Sequence, residues 1–217
     1  FYYTNHNSVI GSDAPLACPR YTTALDYELE IAAVVGLGGK NLSATAAADH
    51  IFGFTVFNDW SARDIQRAEM KAGLGPAKGK DFASSLGPCI VTLDELADRA
   101  AGRPGVYDLS MTAAVNGEQR SAGNFKDIFW SFGEILARVS EEVQIHPGEV
   151  IGSGAMPGIA HVTAEEHADD GIPAVGGERP DDVGVRGRNG ETGTSEMLAR
   201  GQADLQLLPE AVAPAPD

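Results

Sequence analysis

Cysteine, lysine and long apolar runs are scarce in this chain of 217 residues. Its two cysteines, Cys18 and Cys89, are far apart in the sequence and lack the spacing of a metal-binding pair. They predict buried or half-buried free thiols in a reducing, cytoplasmic environment. No apolar run approaches the roughly 20 residues that a membrane-spanning helix needs. The sequence therefore excludes a disulfide-rich scaffold and predicts no membrane partner.

Positive charge is scarce as well. The net charge is -15 at pH 7 and the pI is about 4.6. Such a chain has little with which to neutralise the phosphates of nucleic acid, and it is repelled by an anionic membrane surface. The charge therefore argues against a nucleic-acid partner.

All aromatic residues lie at or before Phe132, and all lysines lie at or before Lys126. Beyond about residue 159, Gly, Ala, Pro, Asp, Glu and Arg dominate, and such a segment buries too little apolar surface to offset its ordering entropy. We predict one domain over residues 1–160 and a divergent, largely disordered tail over 161–217, in which 195–208 has the pattern of a short helix. Because the chain opens on Phe1 rather than Met, we also expect a truncated start.

The predicted strands are rich in β-branched and aromatic residues, and the predicted helices are short. Asn116-Gly117 lies between two strand-like runs and is the strongest hairpin signal. This pattern predicts a β-rich α+β domain. The predicted strands cover 25–35, 51–59, 89–92, 109–115 and 118–121, and the predicted helices cover 44–51, 61–70, 93–99 and 129–139.

The strand from Leu25 to Ile31 alternates between two kinds of side chain. Its apolar residues fall on one face, and Asp26, Glu28 and Glu30 fall on the other. Carboxylates at positions i and i+2 lie about 7 Å apart and repel each other by about 2 kcal/mol at an effective dielectric constant near 20. Either solvent screens this repulsion, or a bound cation reverses it.

A third carboxylate is needed before Glu28 and Glu30 can form a site for a hard divalent cation. The best candidate is Asp59, which ends the apolar strand predicted over 51–59. Spacing alone leaves two interpretations open. Asp59 is either a metal ligand or the cap of the following helix, and the acidic face is either a binding site or a solvated surface.

Several sequence stretches carry a more specific signal. The clearest is NDWSARDIQ at 58–66, and the others are DYELE at 26–30, GKDF at 79–82, LGPCIVT at 86–92 and PGEVIGSG at 147–154. In order and spacing they resemble the fumarylacetoacetate hydrolase family from about residue 1 to residue 158. The resemblance implies a fumarylacetoacetase-type mixed β-roll that is often dimeric, and a homodimer is therefore expected here.

The resemblance also assigns roles to particular residues. It implies that Glu28, Glu30 and Asp59 bind a divalent metal, usually Mg²⁺ and alternatively Mn²⁺ or Ca²⁺. It implies that Lys80 stabilises negative charge on the substrate and that Gln66 contacts the substrate. Asp26 is then not among the expected ligands.

Two further assignments remain open. His6 is a candidate for the base that activates water, since a His follows a Phe-Tyr segment at nearly this distance in the fumarylacetoacetate hydrolases proper. Arg63 is expected either to contact the substrate or to form a structural ion pair. Ala155 departs from the pattern, because the family usually has a threonine there that contacts substrate.

The chemistry fits these residue types. A 1,3-diketo acid chelates a cation through two oxygens, and cleaving its C–C bond leaves charge that a cation and an ammonium group stabilise. The resemblance therefore implies a metal-dependent hydrolase of fumarylacetoacetate-like or acylpyruvate-like substrates in aromatic-compound or amino-acid catabolism. Two alternatives stay open: a 2-oxo acid hydratase, isomerase or decarboxylase, and a catalytically inactive metal-binding fragment.

Overall fold

The computed structural model describes residues 1–155 and the backbone of a strand at 206–208. The fold is a strand-rich α+β arrangement with short helices, as predicted. The helices are α1 (Ala44–Ala48), α2 (Arg63–Met70) and α3 (Phe132–Val139). The strands are β1 (Val9–Gly11), β2 (Leu25–Asp26), β3 (Leu29–Val35), β4 (Ile51–Asp59), β5 (Ser61–Ala62), β6 (Ser84–Leu86), β7 (Val91–Thr92), β8 (Ser110–Val115), β9 (Glu118–Asn124), β10 (Val150–Gly152) and β11 (Gln206–Leu208).

A mixed sheet with the order β1-β6-β4-β3-β10 organises the described residues, and β7 also pairs with β4. Its centre is the long antiparallel pair of β3 and β4, in which Glu30 lies opposite Phe57. The other strands pair as β11-β8-β9 and as β2-β5. This layout places the acidic strand and the strand that ends at Asp59 side by side.

The strand over 51–59 and the hairpin at Asn116-Gly117 are confirmed. Both hairpin residues have positive φ, at 54° and 80°, as a tight hairpin turn requires. The strand predicted over 25–35 is interrupted at Tyr27 and Glu28, because β2 leaves the main sheet to pair with β5.

Helix boundaries shift where the chain supplies a better alternative. The helix predicted over 61–70 begins at Arg63, because Ser61 and Ala62 form β5. The helix predicted over 129–139 begins at Phe132, because Ser131 forms a capping box with Glu134. The segment predicted as a helix over 93–99 forms only a 3₁₀ turn at its end.

Two predictions away from the sheet centre were wrong. The helix predicted over 195–208 contains a strand at 206–208, since that backbone pairs antiparallel with β8. The remainder of the tail predicted over 161–217 lies outside the described residues. Cys89 is exposed rather than buried or half-buried, because it lies in the connection between β6 and β7, where its carbonyl group and not its thiol contacts Thr55.

Over the part of the chain that is described, no helix combines the length and the apolar character needed to cross a membrane. Both cysteines are free thiols.

The hydrophobic core lies on one face of the β3–β4 pair. Leu29, Ile31 and Phe54 point into it, and α3 and the β8–β9 hairpin cover it. The ring of Phe54 makes edge-to-face contacts with Tyr107, Phe125 and Phe132 at centroid distances of 5.1 to 5.5 Å. The carboxylates of β3 therefore project from the opposite face of these two strands.

Replacing Phe54 by Ala should lower the free energy of unfolding by about 3 to 5 kcal/mol, because it removes a fully buried ring from the aromatic cluster. Phe52 provides a matched control on the same strand, since 53% of it is exposed. Phe52→Ala should change the free energy of unfolding by only about 0.5 kcal/mol. Urea denaturation of both variants measures the difference, and equal losses would contradict this account of the core.

Candidate metal centre and active site

Three carboxylate side chains converge at the end of the central strand pair. Glu28 immediately precedes β3, Glu30 lies near the start of β3, Asp59 ends β4, and all three are buried. One carboxylate oxygen from each lies within 4.8 Å of the others. Because β3 and β4 are antiparallel, the start of one strand lies beside the end of the other, which brings these residues together.

Arg63 neutralises one side of this acidic cluster. Its Nε donates to Oδ2 of Asp26 at 2.6 Å, and its Nη1 donates to Oε1 of Glu28 at 2.7 Å. Burial lowers the pKa of the Arg63 guanidinium, but Glu28 and Asp26 raise it by more and keep the group charged. Asp26 therefore forms an ion pair beside the acidic cluster and is not one of its three converging carboxylates.

Lys80 neutralises the other side. Its Nζ lies 2.9 Å from Oε2 of Glu28 and 3.1 Å from Oδ2 of Asp59, and the residue is only 2% exposed. A buried ammonium group between two carboxylates is held in place by charge on both sides. Lys80 thus places positive charge against two of the three converging carboxylates.

Glu28 and Glu30 share a hydrogen bond, and their pKa values shift in opposite directions. Burial raises the pKa of Glu30, and its hydrogen bond and repulsion with Glu28 raise it further. Burial also raises the pKa of Glu28, but the hydrogen bond from Glu30 and the charges of Lys80 and Arg63 outweigh burial and lower it. Glu28 is therefore the more acidic member of this pair, and Glu30 is the member that more readily holds a proton.

The residues present fit a divalent cation. Oδ1 of Asp59 is buried and has no hydrogen-bond partner among the described residues, although buried carboxylate oxygens normally have one. Ser84 lies opposite Asp59 in the pairing of β4 with β6. Its hydroxyl oxygen is likewise buried without a hydrogen-bond partner among the described residues. A cation among Glu28, Glu30 and Asp59 would reduce the repulsion between their carboxylates and give the Asp59 oxygen a partner. A set of ligands made only of oxygen atoms suits a hard cation.

Neither non-binding interpretation of the acidic residues holds. The acidic face is not solvated, since Asp26, Glu28 and Glu30 are between 2% and 8% exposed. Asp59 is not a helix cap, because the residue before α2 is Ala62 and no side chain caps that helix. What sets these carboxylates inside the protein is the packing of β2, β5 and the loop that carries Lys80.

The other predicted site residues lie at varying distances from the cluster. Gln66 contacts it indirectly, through a 3.0 Å hydrogen bond from Nη1 of Arg63 to its Oε1. His6 is exposed, in a 3₁₀ turn at 6–8. The segment before it contacts the cluster, where the Tyr2 hydroxyl donates to Asp59 and Oγ1 of Thr4 lies 3.5 Å from the carbonyl oxygen of Lys80.

Sequence reasoning missed three residues that support the cluster. The backbone N–H of Gly154 donates to Oε2 of Glu30 at 3.0 Å, and the side chain of Asn58 accepts from the N–H of Glu28 at 3.0 Å. The ring of Tyr2 lies beside Lys80, with its centroid 6.0 Å from Nζ. Gly154 and Asn58 lie within the motif stretches PGEVIGSG and NDWSARDIQ, which was the available signal.

The sequence of this chain is similar to a known protein family and to several curated proteins. The family model for the fumarylacetoacetate (FAA) hydrolase C-terminal region matches residues 1–186. Fumarylacetoacetase of Arabidopsis thaliana is 36% identical over 159 residues, which cover 62% of this chain and 38% of that protein. The human mitochondrial oxaloacetate tautomerase FAHD2A is 35% identical over 153 residues, which cover 70% of this chain and 46% of that protein. The chain thus spans less than half the length of these curated relatives.

Solved structures give a consistent result. Fumarylpyruvate hydrolase from Pseudomonas aeruginosa, in complex with Mn²⁺ and pyruvate, has a TM-score of 0.62 and 26% identity, covering 73% of this chain and 67% of that one. A probable 2-hydroxyhepta-2,4-diene-1,7-dioate isomerase from Mycobacterium abscessus also has a TM-score of 0.62 and 26% identity, covering 77% and 59%. Hydrolases and isomerases therefore both occur among proteins similar to this chain.

The two glutamates should respond differently to removal of their charge. Glu28→Gln should cost about 2 kcal/mol of unfolding free energy at pH 7, because it weakens charged hydrogen bonds to Arg63 and Lys80. Glu30→Gln should leave the unfolding free energy unchanged. The raised pKa of Glu30 favours its protonated carboxyl group, which the amide resembles. Urea denaturation at pH 7 with a chelator present compares the two variants.

The pH dependence provides the second half of this test. A raised folded pKa contributes stability that is present below the ordinary value of 4.5 and lost as pH rises through the folded value. The wild type should therefore lose stability as pH rises above 4.5, and Glu30→Gln should lose less. A steeper loss of stability with pH in Glu30→Gln than in the wild type would contradict a raised pKa for Glu30.

Proposed function

The chain belongs to the fumarylacetoacetate hydrolase family, and on that basis we propose that it is a metal-dependent hydrolase of C–C bonds in 1,3-diketo acids. The proposed substrates are fumarylacetoacetate-like or acylpyruvate-like compounds, in aromatic-compound or amino-acid catabolism. The observation that carries the proposal is the convergence of Glu28, Glu30 and Asp59 within 4.8 Å beside the buried Lys80. We propose residues 1–160 as the catalytic domain.

The proposed cofactor is Mg²⁺, with Mn²⁺ or Ca²⁺ as alternatives, held by Glu28, Glu30 and Asp59. When bound, such a cation polarises substrate oxygens and stabilises the negative charge left by C–C cleavage. The Mn²⁺ in the similar P. aeruginosa fumarylpyruvate hydrolase supports this choice of cofactor class.

The chain's own residues supply the remaining functions. Arg63 holds the Glu28 carboxylate in place, and Gln66 in turn accepts from Arg63. The Lys80 ammonium, held at its fixed position by Glu28 and Asp59, donates to negative charge that develops on the substrate. Arg63 and Gln66 are also proposed to contact the substrate from this side of the cluster.

His6 is the proposed base that removes a proton from the attacking water. The segment that carries it is anchored at the cluster four residues earlier, where the Tyr2 hydroxyl donates to Asp59. His6 itself is exposed, so its ring would have to turn toward a bound substrate to act. The water then adds across the cleaved bond, giving a carboxylic acid and a ketone fragment.

Isomerisation, hydration or decarboxylation of a 2-oxo acid is the second candidate function. It is favoured by the similarity to oxaloacetate tautomerase FAHD2A and to the M. abscessus isomerase. A catalytically inactive metal-binding chain is the third, favoured by Ala155 at a position where a hydroxyl-bearing residue is expected. We also propose that the chain acts on a small molecule in the cytoplasm as a homodimer, without nucleic-acid or membrane partners.

Millimolar Mg²⁺ or Mn²⁺ should raise the melting temperature of the wild type, because a cation that binds only the folded state stabilises it. Glu30→Gln should abolish the increase, since a neutral amide replaces one of the three anionic ligands. Glu141→Gln is the matched control, because Glu141 is exposed and contacts Arg138 far from β3 in sequence. Thermal melts with and without cation measure the shift, and an undiminished shift in Glu30→Gln would place the cation elsewhere.

Turnover assays should separate the three candidate functions. Acetylpyruvate cleavage, followed by loss of the enol absorbance, tests the hydrolase, and oxaloacetate enol–keto conversion tests the second class. Lys80→Met should lower kcat by about 100-fold for the true substrate, because it removes a donor aimed at developing charge. Cation binding without turnover of either compound would favour the inactive chain.

A further inference from the structure

The backbone that carries Lys80 lies in a loop, and contacts made by that loop hold it in place. Lys80 is buried, but the residues before it run through an exposed loop in which Leu74 is 92% exposed. Few apolar contacts are available there to fix the backbone. Ion pairs with Glu28 and Asp59 hold the ammonium group at one end of the side chain, and hydrogen bonds made by the loop help to hold the backbone at the other end.

One carboxylate accepts three consecutive backbone N–H groups of this loop. Oε2 of Glu69 accepts from Ala77 at 2.7 Å and from Gly79 at 3.1 Å, and Oε1 accepts from Lys78 at 2.7 Å. Burial raises the pKa of Glu69 slightly, but these three N–H groups outweigh burial and lower it, so the group is ionised at neutral pH. Glu69 thus binds the backbone immediately before Lys80.

The same helix also contacts the loop directly. A Cβ atom at Gly79 would lie 2.8 Å from the backbone nitrogen of Gln66, so the loop backbone rests on α2 with no room for a side chain. Gln66 and Glu69 are three residues apart and share one face of α2. That face therefore holds the loop at two points, by contact at Gly79 and by the Glu69 carboxylate.

We propose that Glu69 is a positioning residue that sets the location of the Lys80 ammonium group by holding the backbone of residues 77–79. The inference rests on the proposed function of Lys80. The distances from Nζ to Glu28 and Asp59 are 2.9 and 3.1 Å, and a displacement of about 1 Å is enough to cost a large share of a catalytic effect. Glu69 touches neither the cluster carboxylates nor, on this account, the substrate.

Glu69→Gln is the variant of choice, because it preserves the shape of the side chain. A glutamine has one acceptor oxygen, and its amino group would face an N–H group of the loop, so at least one of the three hydrogen bonds is lost. Glu141→Gln again serves as the control, since it removes a helix-end carboxylate whose contact is with Arg138.

Two measurements that do not require turnover test the positioning itself. In Glu69→Gln, the amide protons of Ala77, Lys78 and Gly79 should exchange at least tenfold faster, and the side-chain Cε resonance of Lys80 should shift. Neither change is expected in Glu141→Gln. Unchanged exchange and an unchanged Lys80 resonance in Glu69→Gln would overturn the inference, whether or not the protein turns over any substrate.

The link to chemistry is tested by a double variant, with acetylpyruvate or oxaloacetate as the probe. Glu69→Gln should lower kcat about tenfold with KM changed by less than about twofold, since Lys80 acts on charge that develops in the transition state. In the Lys80→Met background, Glu69→Gln should have no further effect on kcat. A full additional loss in that background would show that Glu69 does not act through Lys80 and would overturn the inference.

Failure of the proposed function has a different signature. If neither probe is turned over, the hydrolase and isomerase proposals fail. The exchange and resonance measurements still decide whether Glu69 positions Lys80.

Discussion

The structure depends on the balance between four buried carboxyl groups and two basic side chains. The carboxyl groups belong to Asp26, Glu28, Glu30 and Asp59. The basic side chains that form ion pairs within this group belong to Arg63 and Lys80. Buried carboxylates without partners cost several kcal/mol each, so both cations stabilise this cluster. The elements that carry Arg63 and Lys80 are therefore as necessary to the site as the strands that carry the acids.

Helix α2 meets this requirement at both of its ends, although none of its residues is buried. At its start, Arg63 pairs with the acids and its N–H donates to the carbonyl group of Ala24, while Asp64 accepts from Thr22 and Thr23. Near its other end, Glu69 holds the loop that precedes Lys80. The helix is fixed by polar contacts to the two segments that flank the site, so its exposed position does not imply that it is dispensable.

Local patterns in the sequence predicted what local forces determine. Aromatic and β-branched residues located the strand at 51–59, alternating side chains located the acidic face, and Asn116-Gly117 located the hairpin. Burial of Asp26, Glu28 and Glu30 did not follow from the pattern, because it depends on Arg63 and Lys80, which lie more than thirty residues from them in the sequence. The short strand Ser84–Leu86 and the contact of Tyr2 with Asp59 were missed for the same reason: each exists only through pairing with a distant segment. The motif stretches contain Glu28, Glu30 and Asp59, which the structure brings together, and the roles of these residues in chemistry remain predictions.

The same physical requirement bears on what can bind between Glu28 and Glu30. A proton on Glu30 and a divalent cation would each reduce the repulsion between these two carboxyl groups. The core on the other face of β3 and β4 anchors the strands that carry the carboxyl groups. Oδ1 of Asp59, which has no hydrogen-bond partner among the described residues, would gain one from a cation among the three carboxylates and not from a proton on Glu30.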